Sequence, residues 1–249
     1  MTTESVAGEK KQAKRVQKER KRSKRYKAAS LAAGAQAGVL PLAEAVARAI
    51  KGSKAKFDET LDVAVRLGID PKKTDQAMRG TVLLPHGAGK KIRILVICKE
   101  EKQKDATEAG ADHVGGADMV AKIQGGFSEF DMVISSPDMM RDISKLGPVL
   151  GPKGLMPNPK TGTLTADIAK AVKEFKQGRV EFRSDSGGNV HAGLGKVSFG
   201  AEKLAQNAQA FLETLQRGRP ATAKGIFILG ASVCTTMGPA AAVDVSPYR

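Results

Sequence analysis

Tryptophan is absent from this 249-residue chain, and aromatic residues make up 4% of it. A protein so poor in flat side chains does not bind nucleic acid chiefly by stacking many bases. Long apolar runs are missing too: none approaches the roughly 20 residues a spanning helix needs, which leaves a membrane partner without support. No apolar core follows the basic N-terminus, so it does not read as a secretory signal. Glu4, Glu9 and Glu19 set it apart from acid-poor transit peptides. The two cysteines, Cys98 and Cys234, lie 136 positions apart within apolar runs. They read as small buried hydrophobes of a reducing compartment, with the cytoplasm as the expected location. His86, His113 and His191 are scattered. Neither a zinc-ligand spacing nor a catalytic triad order is present, so no metal, cofactor or enzymatic centre is expected.

Positive charge is what the chain has in excess. The net charge is +15, and residues 1–27 hold eleven Lys/Arg against three acids. The remaining residues keep 30 basic and 23 acidic side chains, so the body is basic without its tail. Such a balance points to nucleic acid first. Residues 1–27 read as a solvated tail, disordered in the free protein, which is compatible with ordering on RNA.

Past the tail, Pro41 opens an amphipathic helix with Leu42, Val46, Ala49 and Ile50 at helical spacing. In FDETLDVAVRLGID, Phe57, Leu61, Val63, Val65 and Leu67 alternate with polar residues, the period of a half-buried strand. A second strand, TVLLP, ends at a glycine-rich break. The middle changes character: KIRILVIC, a helix near 101–109, a short helix near 119–123, the strand DMVISS and further helices describe a small open α/β sheet covered on both faces. After residue 178 the pattern returns to β, as two strands around Ser-Gly-Gly, a helix at AEKLAQNAQAFLETLQRG and a last strand, IFILGASVCTTMG. The expected fold class is therefore mixed, α/β and α+β, in two domains. A discontinuous α+β domain of residues 28–86 plus 179–249 receives an inserted Rossmann-like α/β domain of residues 87–178, and the two crossings permit a hinge.

Residues 145–163, KLGPVLGPKGLMPNPKTGT, hold four prolines, four glycines and three lysines but no acid. Such a run is expected in neither a helix interior nor a central strand. A phosphate loop fails on spacing: Gly147 and Gly151 enclose three residues, and Lys153 precedes Gly154 where Ser or Thr is required. A nucleotide-dependent enzyme and a DNA-binding protein acting through its tail stay as the rival readings.

The run LGPVLGPKGLMPNPKTGT resembles the signature of the large-subunit ribosomal protein L-one family, the protein of the lateral stalk beside the tRNA exit site. AKFDETLDVAVRLGIDPKKTDQAMRGTVLLPHGAGK, AGADHVGG, RVEFRSDSGGNVHAGLGK and the closing TTMGP resemble its bacterial branch in the same order, from about residue 41 to 239. The resemblance implies binding to 23S rRNA within the ribosome, a mobile stalk that aids release of deacylated exit-site tRNA, and repression of its own mRNA through a leader that mimics the rRNA site. It also implies two domains joined by a flexible hinge.

The resemblance puts the main rRNA surface on the terminal-halves domain. Lys56 then supplies a phosphate contact, and Phe57, otherwise a core phenylalanine, packs on ribose and base edges. Arg183 and Asp185 share an outward face, where Arg meets phosphate and Asp accepts from a 2′-hydroxyl or base amine; His191 belongs to the same strand pair. Ser232, Thr235, Thr236, Met237 and Gly238 offer hydroxyls for 2′-hydroxyls, a methionine for sugar and a close backbone approach. Cys234 stands where a hydroxyl residue is expected, and Leu194 where a β-branched one is. Lys145, Lys153 and Lys160 form a secondary basic loop with either an RNA or a structural role.

Overall fold

The computed structural model describes residues 22–32, 38–71, 73 and 75–248. Two helices come first, α1 (Lys24–Ala32) and α2 (Leu42–Gly52). Pro41 caps α2, whose buried stripe is Ala45, Val46 and Ala49. α1 takes in Lys24 and Lys27, read above as tail. Alanines favour helix there, and Ala29 is buried. The rest of the expected disordered tail, residues 1–21, lies outside the described residues.

Strand β1 (Thr60–Leu67) follows the alternation, with Leu61, Val63, Val65 and Leu67 buried; β2 (Arg79–Leu83) comes next. The middle of the chain is β3 (Ile94–Ile97), α3 (Glu100–Glu108), β4 (His113–Gly115), α4 (Ala117–Gln124) and β5 (Met132–Ser135). Helices α5 (Met140–Ser144), α6 (Gly147–Lys153) and α7 (Ile168–Lys176) complete it. The C-terminal part is β6 (Arg179–Arg183), β7 (Asn189–Lys196), α8 (Ala201–Arg217), β8 (Ile228–Thr235) and β9 (Ala241–Val243).

Three sheets result. β3, β4 and β5 are parallel in the order β4-β3-β5, and all four β3 residues are buried, as a strand covered on both faces requires. One face packs Ile94, Val96 and Ile134 on Ala106, Ile168, Val172 and Phe175. The other packs Leu95, Ile97 and Val133 on Val120, Ile123, Ile143, Leu146 and Leu150. The second sheet is antiparallel, β7-β1-β8-β9, and its inner side meets α2 and the Leu204, Ala208, Phe211, Leu212 and Leu215 stripe of α8. β2 and β6 form an antiparallel ribbon whose Val82 and Phe182 join that core.

Three local expectations are corrected. The strands flanking Ser-Gly-Gly do not chiefly pair with each other: β6 goes to β2 and β7 to β1, and only the Ser184–Val190 bridge links them. The proline–glycine stretch contains α6. Pro148 sits in its first turn, where the missing N–H has no helical partner to lose, Pro152 falls in the last turn, and Gly154 closes the helix at φ 71°. Phe57 lies outside β1, in the turn before it.

The chain leaves for and returns from the middle segment at one point. Gly87 and Gly178 have φ of 69° and 110°, and a Cβ on Gly178 would stand 2.3 Å from the Gly87 Cα. Buried Asn207 on α8 pins this point: its Oδ1 accepts the His86 N–H at 3.1 Å, and its Nδ2 donates to the carbonyls of Gly87 and Leu194.

Candidate nucleic-acid interface

Antiparallel pairing sets the start of β1 beside the end of β8, with Leu61 opposite Thr235, and beside the end of β7, with Thr60 opposite Lys196. Two connections therefore adjoin at this end of the sheet, residues 53–59 and residues 235–239. Thr236 clips them together. Its hydroxyl accepts the Thr60 N–H at 3.0 Å, and its own N–H donates to the Thr60 carbonyl at 3.1 Å.

Glu59 holds the two connections more firmly. It is 1% exposed; one carboxylate oxygen accepts the Ala55 N–H and the other the Met237 N–H, each at 3.0 Å. Burial alone would raise its pKa. Hydrogen bonding outweighs it, chiefly from the Met237 N–H and with it the Ala55 N–H, holding the carboxyl below its ordinary value. Asp58 adds a brace through Ser198, accepting from its N–H and its hydroxyl, while the Lys196 ammonium donates to the Asp58 carbonyl and the Thr60 hydroxyl.

What this frame presents is Lys56, exposed, with Phe57 at 55% and Met237 at 51% exposure. Phe57 is not a core residue. Thr235 and Gly238 are placed differently from a surface reading. Thr235 is 2% exposed, and a Cβ on Gly238 would lie 2.2 Å from its Oγ1, so the glycine fits the turn around that hydroxyl. The Thr236 hydroxyl is engaged with Thr60.

The outward face of the same sheet is lined by small side chains. Ala64 lies between His191 and Ser232, and Asp62 between Gly193 and Cys234. His191 is exposed and Ser232 half-buried. Burial pushes the Asp62 carboxyl up, against the pull of Lys196 and His191. The Cys234 thiol is pushed up by burial and by Asp62.

Arg183 and Asp185 belong to the far end, beyond Asn189 and Arg66. The six steps from Thr60 to Arg66 amount to about 20 Å of strand. Arg183 ends β6 and is exposed. Asp185 is not on a strand: its carboxylate accepts from the N–H groups of Gly187 and Asn189 and from Asn189 Nδ2, and lies 3.8 Å from His191 Nε2. The Asn189 and Gly187 donors hold its pKa down. Its acceptor capacity therefore shapes the Ser-Gly-Gly turn.

Residues 145–163 fold against the parallel sheet and β2. Asn158, Thr161 and Thr163 bond among themselves, and Gly162 presses on the Arg179 guanidinium, which donates to Thr81 Oγ1, pairs with Glu174 and lies over the Phe175 ring. Lys145 pairs with Asp142 at 3.0 Å; Lys153 and Lys160 are exposed. All three lysines belong to this segment, apart from the loops around Glu59.

Sequence reading missed Glu59. A signal existed: residues 59, 61, 63, 65 and 67 share one parity, so Glu59 is an acid placed in phase with the core positions of β1. A groove of about 500 Å³ lies beside the Gly87–Gly178 contact, lined by Lys90, Lys91, Lys176 and Asp112 among others. Among the described residues no group of three or more His, Cys, Asp or Glu is set to hold a metal, and no helix is long and apolar enough to cross a membrane.

The model of the ribosomal protein L1p/L10e family matches residues 49–239. The large ribosomal subunit protein uL1 of Solibacter usitatus (strain Ellin6076) is 52% identical over 230 residues, 92% of this chain and 96% of that protein. The protein of the same name from Cutibacterium acnes (strain DSM 16379 / KPA171202) is 54% identical over 224 residues, 90% of this chain and 96% of its own length. The chain belongs to the ribosomal protein L1p/L10e family, a family of structural, non-enzymatic ribosome components.

Proposed function

We propose that this chain is a cytoplasmic constituent of the large ribosomal subunit that binds 23S rRNA through the sheet end around Glu59. One observation carries the RNA reading: Phe57 and Met237, two exposed apolar side chains, stand on loops that a buried carboxylate clamps together, next to Lys56. An exposed aromatic and a thioether beside a cation fit ribose, base edge and phosphate together. Ser232 and His191 extend the contact over the small-residue face, and Arg183 adds a cation at its far end. Aid to exit-site tRNA release and repression of the chain's own mRNA are parts of the same reading and rest on family resemblance.

The two-domain organisation, residues 28–86 with 179–249 and residues 87–178, belongs to this reading as well. The separate buried clusters on either side of the Gly87–Gly178 contact support it.

The experiment is binding of the full chain to a folded 23S rRNA stalk fragment, a scrambled RNA and duplex DNA at two salt concentrations. A preference for the folded fragment that survives the higher salt is expected. Equal binding to all three would leave a general polyanion binder.

A further inference from the structure

α1 stands outside the matched family region and none of the roles above uses it. Arg22, Lys24, Arg25 and Lys27 are all exposed, and the helix contains no acid. Its start is ordered: the Arg22 guanidinium lies 4.6 Å from the Tyr26 ring centroid, and the Ser23 hydroxyl accepts the Tyr26 N–H at 3.2 Å. Ala29, 3% exposed, faces inward, and α1 packs on α2.

α2 connects two edges of the candidate interface. It begins beside β9, where Leu40 bridges Val243, and its eleven residues, about 16 Å of helix, end at the loop that carries Lys56. Lys51 at its last turn and Lys54 just beyond are exposed. Among the described residues none of Arg22, Lys24, Arg25, Lys27, Lys51 and Lys54 pairs with an acid. The two helices carry one acid, Glu44 in the exposed first turn of α2, so the α1–α2 layer stays strongly basic toward Lys56.

The geometry points to α1 as a second phosphate-binding surface, continuous through Lys51 and Lys54 with the interface at Lys56, that engages the backbone of a duplex flanking the RNA element held there. This rests on the rRNA-binding reading above. The occupant is an RNA backbone because the charged side chains that α1 exposes are all basic, and because α1 packs on the helix that ends at the RNA interface proposed above. Contacts of this kind position a nucleic acid without reading its sequence. The first interface then selects the fold of the RNA, and α1 fixes the direction in which its flank departs.

The test uses the full chain and the fourfold variant R22Q/K24Q/R25Q/K27Q, with thermal unfolding to confirm that both fold. A second variant, K51Q/K54Q, removes the bridge without touching α1. Three probes are titrated over a range of salt: a short folded 23S rRNA junction, the same junction with one flanking duplex lengthened by a turn, and the isolated duplex. Wild type is expected to bind the lengthened junction more tightly than the short one. The fourfold variant loses that gain, holds the short junction within twofold, and shows a salt slope on the long one shallower by about 0.9 for each phosphate it no longer neutralises. K51Q/K54Q loses part of the same gain. An unchanged affinity of the fourfold variant for the long junction overturns the inference, as does an equal loss on all three probes. Failure of wild type to prefer the short junction over the isolated duplex would instead sink the rRNA-binding reading itself.

Discussion

The Glu59 carboxylate accepts the N–H of Met237 at 3.0 Å across 178 positions of chain. Its other oxygen accepts from Ala55, so one buried acid sets the spacing between the loop bearing Phe57 and the turn bearing Met237. Side chains that recognise a ligand act well only when something behind them fixes their rotamers and loops.

Glu59→Ala leaves the Ala55 and Met237 N–H groups without acceptors. Both N–H groups are part-buried, so each lost acceptor costs at most about 1–3 kcal/mol. We expect a urea midpoint well below wild type and a loss of RNA affinity, with Glu59→Gln recovering part of both because one carbonyl oxygen remains. An alanine variant that unfolds early yet binds RNA as wild type, under conditions where both are folded, would show that the clamp does not position the loops.

The same carboxyl gives a pH dependence of known sign. Its folded pKa is depressed, so its stabilisation is present above the unfolded value of about 4.3 and is lost as pH falls through the lower folded value. Asp62 is opposite: its folded pKa is raised, so its contribution is favourable only below about 3.9 and is lost as pH rises through the folded value. Asp62→Asn should therefore raise stability at neutral pH, and the gain should vanish in acid. Denaturant titrations at pH 7 and pH 3 measure it; equal shifts at both would reject the account.

Phe57→Ala and Met237→Ala remove exposed side chains, so stability should stay within about 0.5 kcal/mol. RNA affinity should fall, by about 1–3 kcal/mol for the aromatic ring. Phe211→Ala, on the buried stripe of α8, reverses the pattern, with about 3–5 kcal/mol of stability lost. Calorimetry with and without the folded RNA separates the two classes, and a destabilised Phe57→Ala would return that ring to the core.

Gly238→Ala puts a methyl group 2.2 Å from Thr235 Oγ1. We expect the turn to shift and RNA binding to weaken. In a Thr235→Ala background the clash is relieved, so the penalty of the second substitution should shrink. A double-mutant cycle reads this coupling directly; strict additivity would mean the glycine matters for another reason.

Much of the fold was legible in the chain because its elements are strongly periodic. The parity of Leu61, Val63, Val65 and Leu67 and the stripe of Leu204, Ala208, Phe211 and Leu212 fix their own elements and buried faces. Strand partners were not legible, because the period of β6 and β7 is satisfied equally by pairing with each other or with β2 and β1. Phe57 continues the β1 alternation by letter, but the turn before Thr60 breaks the phase and exposes it. Asp185 and Thr236 have the chemistry to meet RNA, yet their polar atoms are engaged by Asn189 and Thr60, contacts that no local pattern announces. Helix α6 was hidden because proline is judged by its cost inside a helix, and the ends of a seven-residue helix are most of it.

Pairing Leu61 with Thr235 and clipping Thr60 to Thr236 makes this end of the sheet one of the most non-local structures among the described residues. Contacts of such separation carry a high loop-closure cost, since a long loop must close before they return any stability. The parallel sheet β4-β3-β5, by contrast, is drawn from one contiguous stretch, residues 94–135. During translation β1 emerges about 170 residues ahead of the end of β8, so no copy that stops short of β8 completes this end of the sheet. On the rRNA-binding reading proposed above, only a chain synthesised past Met237 carries the whole contact surface.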